Sequence, residues 1–213
     1  MKEIRSGIRH ALALPWVYDA WQRLVGAYAW RDRVLQRFVS PVIPQHGKLI
    51  DIGCGTAEAV LSLPRGVEYI GFDRNPAYIH KAQKRFGHLN ATFHLEELSL
   101  DFPMNGSPAD VVLALGLVHH LDDMQTLELF RLAKKLLGPG GFLLIVEPVY
   151  DPQQSWLARY VVSKDRGTAV RTEIGYKELA LQVCSRVEVF IDKNPLRIPF
   201  TGMVMKCSFD SAK

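Results

Sequence analysis

The segment KLIDIGCGTAEAVLSLPRGVEYIGFD, residues 48–73, constrains the fold of this chain more than any other. Its first part, Lys48–Ile52, is an apolar run that reads as a buried strand, and it ends at Gly53 and Gly55, which allow a tight turn and a close backbone approach that side chains would block. A helix is expected after the turn, with its unpaired N–H groups facing back toward it. A second strand, Glu68–Asp73, then ends in an acid about 20 residues on, the offset at which a carboxylate reaches a ribose diol. Strand, glycine turn, helix and strand open a nucleotide-binding α/β unit, so a ligand with a ribose is the first expectation.

The third small position of the turn narrows the ligand. A dinucleotide fingerprint needs glycine or alanine three residues after the second glycine, and this chain has Glu58 there. An acid in the first turn of a helix repels phosphate, which favours the positive end of the helix. A sulfonium ligand carrying an ammonium and one carboxylate tolerates it.

The remaining chain alternates strand and helix. Pro76 opens a helix at its favoured first position and carries it to about Phe86, and Ala91–Leu95 is a third strand. Residues 110–115, DVVLAL, form an unbroken apolar run suited to burial on both faces. Residues 124–137 show helical spacing (Leu127, Phe130, Leu132, Leu136, Leu137) and are expected to stop at Gly138, before a further buried strand at 142–146. Strand-like runs at 186–191 and 203–209 follow near the end. This order predicts a doubly wound, mostly parallel α/β sheet with helices on both faces.

DIGCGTA with GFDRNP resembles the first two motifs of the class I S-adenosylmethionine-dependent methyltransferases. ADVVLALGLVHHLDD resembles their fourth strand and following loop, and LGPGGFLLIVEP their fifth-strand entry. The likeness covers roughly residues 44–207, with one mild departure, Ala57 in place of a usual glycine. It implies a seven-stranded Rossmann-like sheet ending in an antiparallel last strand, S-adenosyl-L-methionine as cofactor, and methyl transfer to a small molecule. A nicotinamide oxidoreductase fits less well, because of Glu58 and the terminal strand pair. A non-catalytic S-adenosylmethionine-binding protein is the other alternative.

The same resemblance implies the site. Asp51 and the turn Gly53, Cys54 and Gly55 lie near the methionine moiety, Asp73 takes the ribose hydroxyls, and Arg74 flanks the adenine. Glu96, or its neighbour Glu97, accepts from the adenine amino group. Leu115 and Gly116 close the fourth strand, where the methyl points. The Asn/Asp-Pro-Pro-aromatic motif of enzymes acting on amide or exocyclic amino nitrogens is replaced here by Leu115-Gly116-Leu117-Val118, which argues against that subclass. His119 and His120 follow. Either ring can act as a base near neutral pH or tie the loop down through a ring N–H, and for His120 the structural role is favoured; His119 is divided between cofactor contact and solvent exposure.

Two segments lie outside the nucleotide unit. Residues 1–43 form a helical extension ahead of the domain at 44–213. Val17, Ala20, Trp21, Leu24 and Tyr28 recur at helical spacing and make one apolar face. That face is expected to pack on the sheet edge, to form a lid whose Trp21 and Tyr28 touch the acceptor, or to meet a membrane surface together with Lys2, Arg5 and Arg9. The insertion at 150–172 holds Trp156, Arg159, Tyr160, Lys164, Asp165, Arg166 and Arg171. With Arg197 these suit an acceptor wall for an acidic or lipid-like small molecule, or else solvated surface.

Composition sets the outer bounds. With 213 residues the chain has enough length for one sizeable core, and a net charge of +4 carries no continuous nucleic-acid footprint. Three scattered cysteines support neither a disulfide framework nor a metal site, so a reducing cytoplasm is expected. The basic head and its short apolar stretch lack a signal-peptide cleavage region.

Overall fold

The computed structural model describes residues 15–101, 106–165 and 167–210. The Lys2, Arg5 and Arg9 pattern and Arg166 lie outside them. Strands β1 (Lys48–Ile52), β2 (Glu68–Asp73), β3 (Ala91–Leu95), β4 (Ala109–Leu115), β5 (Leu137–Pro148), β6 (Arg186–Lys193) and β7 (Thr201–Ser208) form one seven-stranded sheet in the order β3-β2-β1-β4-β5-β7-β6. The first five run parallel, and β7 is antiparallel to both β5 and β6. The order reverses beside β1, between β1 and β4, and ligands of open α/β sheets bind at such a reversal, beyond the carboxyl ends of the strands.

Alternation along the central strands feeds two cores. Ile50, Ile52, Val112, Ala114, Leu143 and Ile145 face one layer with Phe130 and Tyr176, while Leu49, Val111, Leu113, Phe142, Leu144 and Val146 face the other. Strands buried on both sides must read as continuous apolar runs, which is why DVVLAL carries no polar alternation. The first layer is covered by α4 (Asp123–Leu136) and α6 (Glu173–Leu181), and the second by α2 (Ala27–Phe38) and α3 (Pro76–Phe86).

Helix α3 starts as its sequence dictates, with Pro76 just inside and Asn75 accepting from Ala77 N at 3.0 Å. Helix α4 has a capping box between Asp122 and Gln125. It ends at Leu136, and Leu137 already has extended backbone and opens β5. The expected stop at Gly138 is therefore displaced: helix passes straight into strand, and the glycines lie within β5.

Two other expectations change. The glycine turn leads into a five-residue 3₁₀ helix, Glu58–Ser62, and not into an α-helix. The N-terminal apolar stripe is not one helix either, because Gly26, with φ +84°, separates α1 (Pro15–Val25) from α2. That break rotates the faces. Trp21 and Leu24 are exposed (44% and 64%), while Asp19, Val25, Ala27 and Trp30 are buried. Trp30 presses against Gly202 so closely that a Cβ there would fall 2.1 Å from its ring, which makes α2 a packed layer of the core.

The insertion carries α5 (Trp156–Ser163), capped by Ser155. No helix among the described residues is long and apolar enough to cross a membrane.

Candidate active site

A cavity of about 270 Å³ lies between α2 and the glycine turn. Tyr28, Arg31, Asp32 and Leu35 line it from α2, Gly53 to Thr56 with Glu58, Leu61 and Ser62 line it from the turn, and Asp51 and Leu115 form its floor. The turn has its shape because Gly55 adopts φ +56° with nothing within 4 Å of an added Cβ; the requirement is one of backbone conformation, not of space. Ala57, the position where the resemblance calls for glycine, is itself left-handed at φ 57°, which explains that preference.

Asp51 is the floor's charged group. Tyr69, one strand over, donates to its Oδ2 at 2.6 Å, while Oδ1 is buried without a hydrogen-bond partner among the described residues. Burial pushes the carboxyl up to about 7, Tyr69 and the Arg31 guanidinium pull it back, and Asp73 pushes it further. Arg31 reaches over the end of β4, where its Nη2 lies 2.9 Å from the position of a Cβ on Gly116. Gly116 has φ +72°, so both space and backbone exclude a side chain there. The cavity thus has a buried carboxylate oxygen and a cation in one lining, the pair of charges that suits an ammonium and a carboxylate from one ligand.

Asp73 ends β2 facing the turn. Its Oδ2 accepts from Gly55 N (2.9 Å) and its Oδ1 from Asn75 N (2.8 Å). Arg74, Glu96 and Glu97 are exposed beside it, and Glu96 N donates to Asp73 O at 3.2 Å. Cys54 packs its sulfur over Gly71, whose added Cβ would lie 2.8 Å away. Glu58 is paired with Arg23 (2.9 Å) and Arg85 (2.5 Å), so its charge is offset and it repels a phosphate less than the sequence alone indicates.

The lid candidates are tied to this turn. Tyr28 and Thr56 donate to Asp19 Oδ1 at 2.6 and 2.8 Å, and Lys81 Nζ lies 2.6 Å from Oδ2. Burial alone would raise the Asp19 carboxyl, but these bonds outweigh it and hold the group below its usual range. Tyr28 lines the cavity; Trp21 is outside it.

Past β4, His119 is buried between two carboxylates, Glu147 at Nδ1 and Asp165 at Nε2 (2.9 Å). Burial would lower this imidazole, yet Glu147 and Asp165 raise it to about 10, and Asp165 is held well below the carboxylate range. Of the two expectations for His119, solvent exposure does not hold, because the ring is buried. The His120 ring lies against His119 at 4.0 Å, and His119, His120 and Asp165 bring potential ligand atoms within 4.8 Å of one another.

The acceptor-wall cations scatter. Arg159 stacks over Tyr150 and Lys164 over the exposed Tyr160. Arg197 docks on α1, its backbone N donating to Val25 O at 2.9 Å. Arg171 is spent on Asp123 and on the carbonyls of Leu121 and Ala169.

Sequence reasoning assigned no site role to Arg31, Asp19, Tyr69 or Glu147, and named Asp165 only as one of the residues of the 150–172 segment. Asp19 alone carried a local signal, an acid inside the apolar VYDAW; the others depend on partners distant in the chain.

Known proteins resemble this chain in sequence and in fold. The family described as "Methyltransferase domain" matches over residues 20–180. The chain is 27% identical over 150 residues to a demethylmenaquinone methyltransferase of Staphylococcus saprophyticus, covering 62% of this chain and 61% of that relative, less than two thirds of its length. It is 26% identical over 177 residues to a carboxy-S-adenosyl-L-methionine synthase of Methylococcus capsulatus, covering 77% and 72%. Human N-acetylserotonin methyltransferase in complex with SAM shares the fold with TM-score 0.63 and 16% identity, over 92% of this chain and 55% of that one.

Proposed function

Because the chain belongs to the methyltransferase domain family, of the class I S-adenosylmethionine-dependent type, we propose that it transfers the methyl group of S-adenosylmethionine to a small-molecule acceptor. The observation that carries the cofactor reading is the pairing in one cavity of the buried, unpartnered Asp51 Oδ1 with Arg31. These fit the ammonium and carboxylate of a methionine end. Asp73, at the end of the next strand, suits a ribose diol, and Glu96 or Glu97 an adenine amino group.

The cofactor supplies an electrophilic methyl on a sulfonium, and its transfer is an in-line displacement in which positive charge disappears. The protein's task is then alignment in a site that excludes water. In this reading Asp51 and Arg31 hold the amino-acid end, and Leu115 gives the reacting end an apolar wall beside Gly116. Tyr28, fixed by Asp19, closes the cavity from above. For the acceptor we infer an acidic or partly apolar molecule, supported by the cation and ring that Arg159 and Tyr160 hold on the 150–172 segment, outside the cavity lining.

Two measurements test this. Calorimetry is expected to show binding of S-adenosylhomocysteine and no comparable binding of NAD. Tritiated S-adenosylmethionine incubated with a small-molecule extract is expected to label an extractable product; tight NAD binding with neither result overturns the proposal.

A further inference from the structure

We propose that His119 is a positioning residue: ion-paired at both ring nitrogens, it cross-links Glu147 to Asp165 and so fixes Asp165 and residues 167–169 against the loop that follows β4. The inference rests on the reading that the methyl is presented at this loop.

Glu147 is 1% exposed and stands at the carboxyl end of β5. Its Oε1 accepts from Leu117 N (2.9 Å) and Val118 N (2.7 Å), and its Oε2 from His119 N (3.2 Å) and the His119 ring. One side chain therefore sets the path of three consecutive backbone amides. A buried carboxylate is tolerated only when hydrogen-bonded and offset by a cation, and among these partners only the His119 ring can carry positive charge.

The opposite ring nitrogen faces Asp165 Oδ1 at 2.9 Å. A neutral imidazole has one N–H and one lone pair, so it can satisfy one carboxylate and must repel the other. Two ionised carboxylates on one ring are both satisfied only by the imidazolium. The segment beyond Asp165 closes on that ring from several sides. Asp165 Oδ1 also accepts from Gly167 N (2.9 Å), and Ala169 N donates to His119 O (2.9 Å). A Cβ on Gly167 would fall 2.0 Å from His119 Cδ2, so the backbone passes where no side chain fits. Arg171 then bonds the carbonyls of Leu121 and Ala169.

The consequence is a rigid join between the wall beside β4 and the strand-to-helix segment flanking it. Both His119 nitrogens are spent, so the ring acts through position and not by accepting a proton from the acceptor. A divalent cation held by His119, His120 and Asp165 would need the Nε2 position now facing Asp165, which makes metal content a discriminating measurement.

Nitrogen-15 NMR of the wild-type protein at about pH 7.5 is expected to show His119 with both nitrogens protonated, where an ordinary histidine of pKa about 6.5 is roughly nine-tenths neutral. Elemental analysis is expected to find no stoichiometric metal. In Asp165→Ala, amide exchange across 167–171 is expected to quicken by about tenfold or more, with S-adenosylhomocysteine affinity kept within about threefold. Labelled-methyl transfer is expected to fall about tenfold, with Asp165→Glu restoring much of it. A neutral His119, a bound metal, or an Asp165→Ala protein with unchanged exchange and transfer overturns the inference. If the variant does not fold, the wild-type spectrum decides. If wild-type protein transfers no label, the proposed function fails, while spectrum and exchange still judge the cross-link.

Discussion

Tyr69 donates its hydroxyl to Asp51 Oδ2 at 2.6 Å from the strand next door, orienting the carboxyl so that Oδ1 is left for the cavity. The bond positions the acid and pulls its pKa down, while burial outweighs that pull and raises it.

Its titration gives the first prediction. The folded carboxyl sits near 7, above the ordinary aspartate value of about 3.9, so the ligand-free folded state holds an extra proton between those limits. The Asp51 contribution therefore makes stability fall as pH rises through that window, the reverse of an aspartate with a depressed pKa, with a limiting slope of about 1.4 kcal/mol per pH unit. An ammonium favours the ionised form. S-adenosylhomocysteine affinity is expected to rise between about pH 6 and 8, and Asp51→Asn to flatten the profile; calorimetry across that range checks both, and an unchanged slope in the variant removes Asp51 from the ammonium contact.

Asp73→Ala is expected to weaken S-adenosylhomocysteine binding by about 1.5–3 kcal/mol, the range for hydrogen bonds involving a charged group. Part of that loss comes through the turn, because Gly55 N loses its acceptor. Asp73→Asn, which keeps one acceptor oxygen, should recover part of the affinity in the same titration.

Asp19→Ala removes the acceptor shared by Tyr28 and Thr56 and the partner of Lys81. Lys81 is partly exposed and regains water, so the expected loss is about 1–3 kcal/mol in urea unfolding at neutral pH. Because the Asp19 carboxyl is depressed, its stabilisation is present above the ordinary aspartate range and is lost as pH falls through the folded value. The gap between wild type and Asp19→Asn should narrow accordingly in acid.

Trp30→Ala is expected to cost about 3–5 kcal/mol, the range for emptying a buried aromatic site. Removing residues 1–30 should therefore abolish cooperative unfolding, since Trp30 packs on Gly202 and Phe200. Removing 1–25 spares that contact and should leave a folded chain with weakened S-adenosylhomocysteine binding. Thermal melts of the two truncations separate the roles of α1 and α2.

The sheet was legible because its strands are short apolar runs bounded by glycine, proline or acid, and β1 to β3 fall where the residues place them. Local patterns also pointed to Asp73 and the glycine turn, while Asp51 came only from the family resemblance. The face of α1 was not legible, since Gly26 resets the helical phase and Asp19 is buried by Lys81, which lies on α3. Arg31 reads as one more surface cation until α2 is laid over the end of β4. Glu147 reads as a strand-terminal acid; its role appears only when the amides of residues 117–119 fold back on it.

Leu35 is fully buried in the core and also lines the cavity, so α2 carries folding and ligand contacts on the same turns of helix. Affinity and stability are then linked thermodynamically at this helix. A ligand at a hundred times its Kd raises the unfolding free energy by about 2.7 kcal/mol, and a substitution that loosens α2 registers as weaker binding without touching the ligand. Variants along this helix separate the two effects only when melting is measured both with and without the nucleoside.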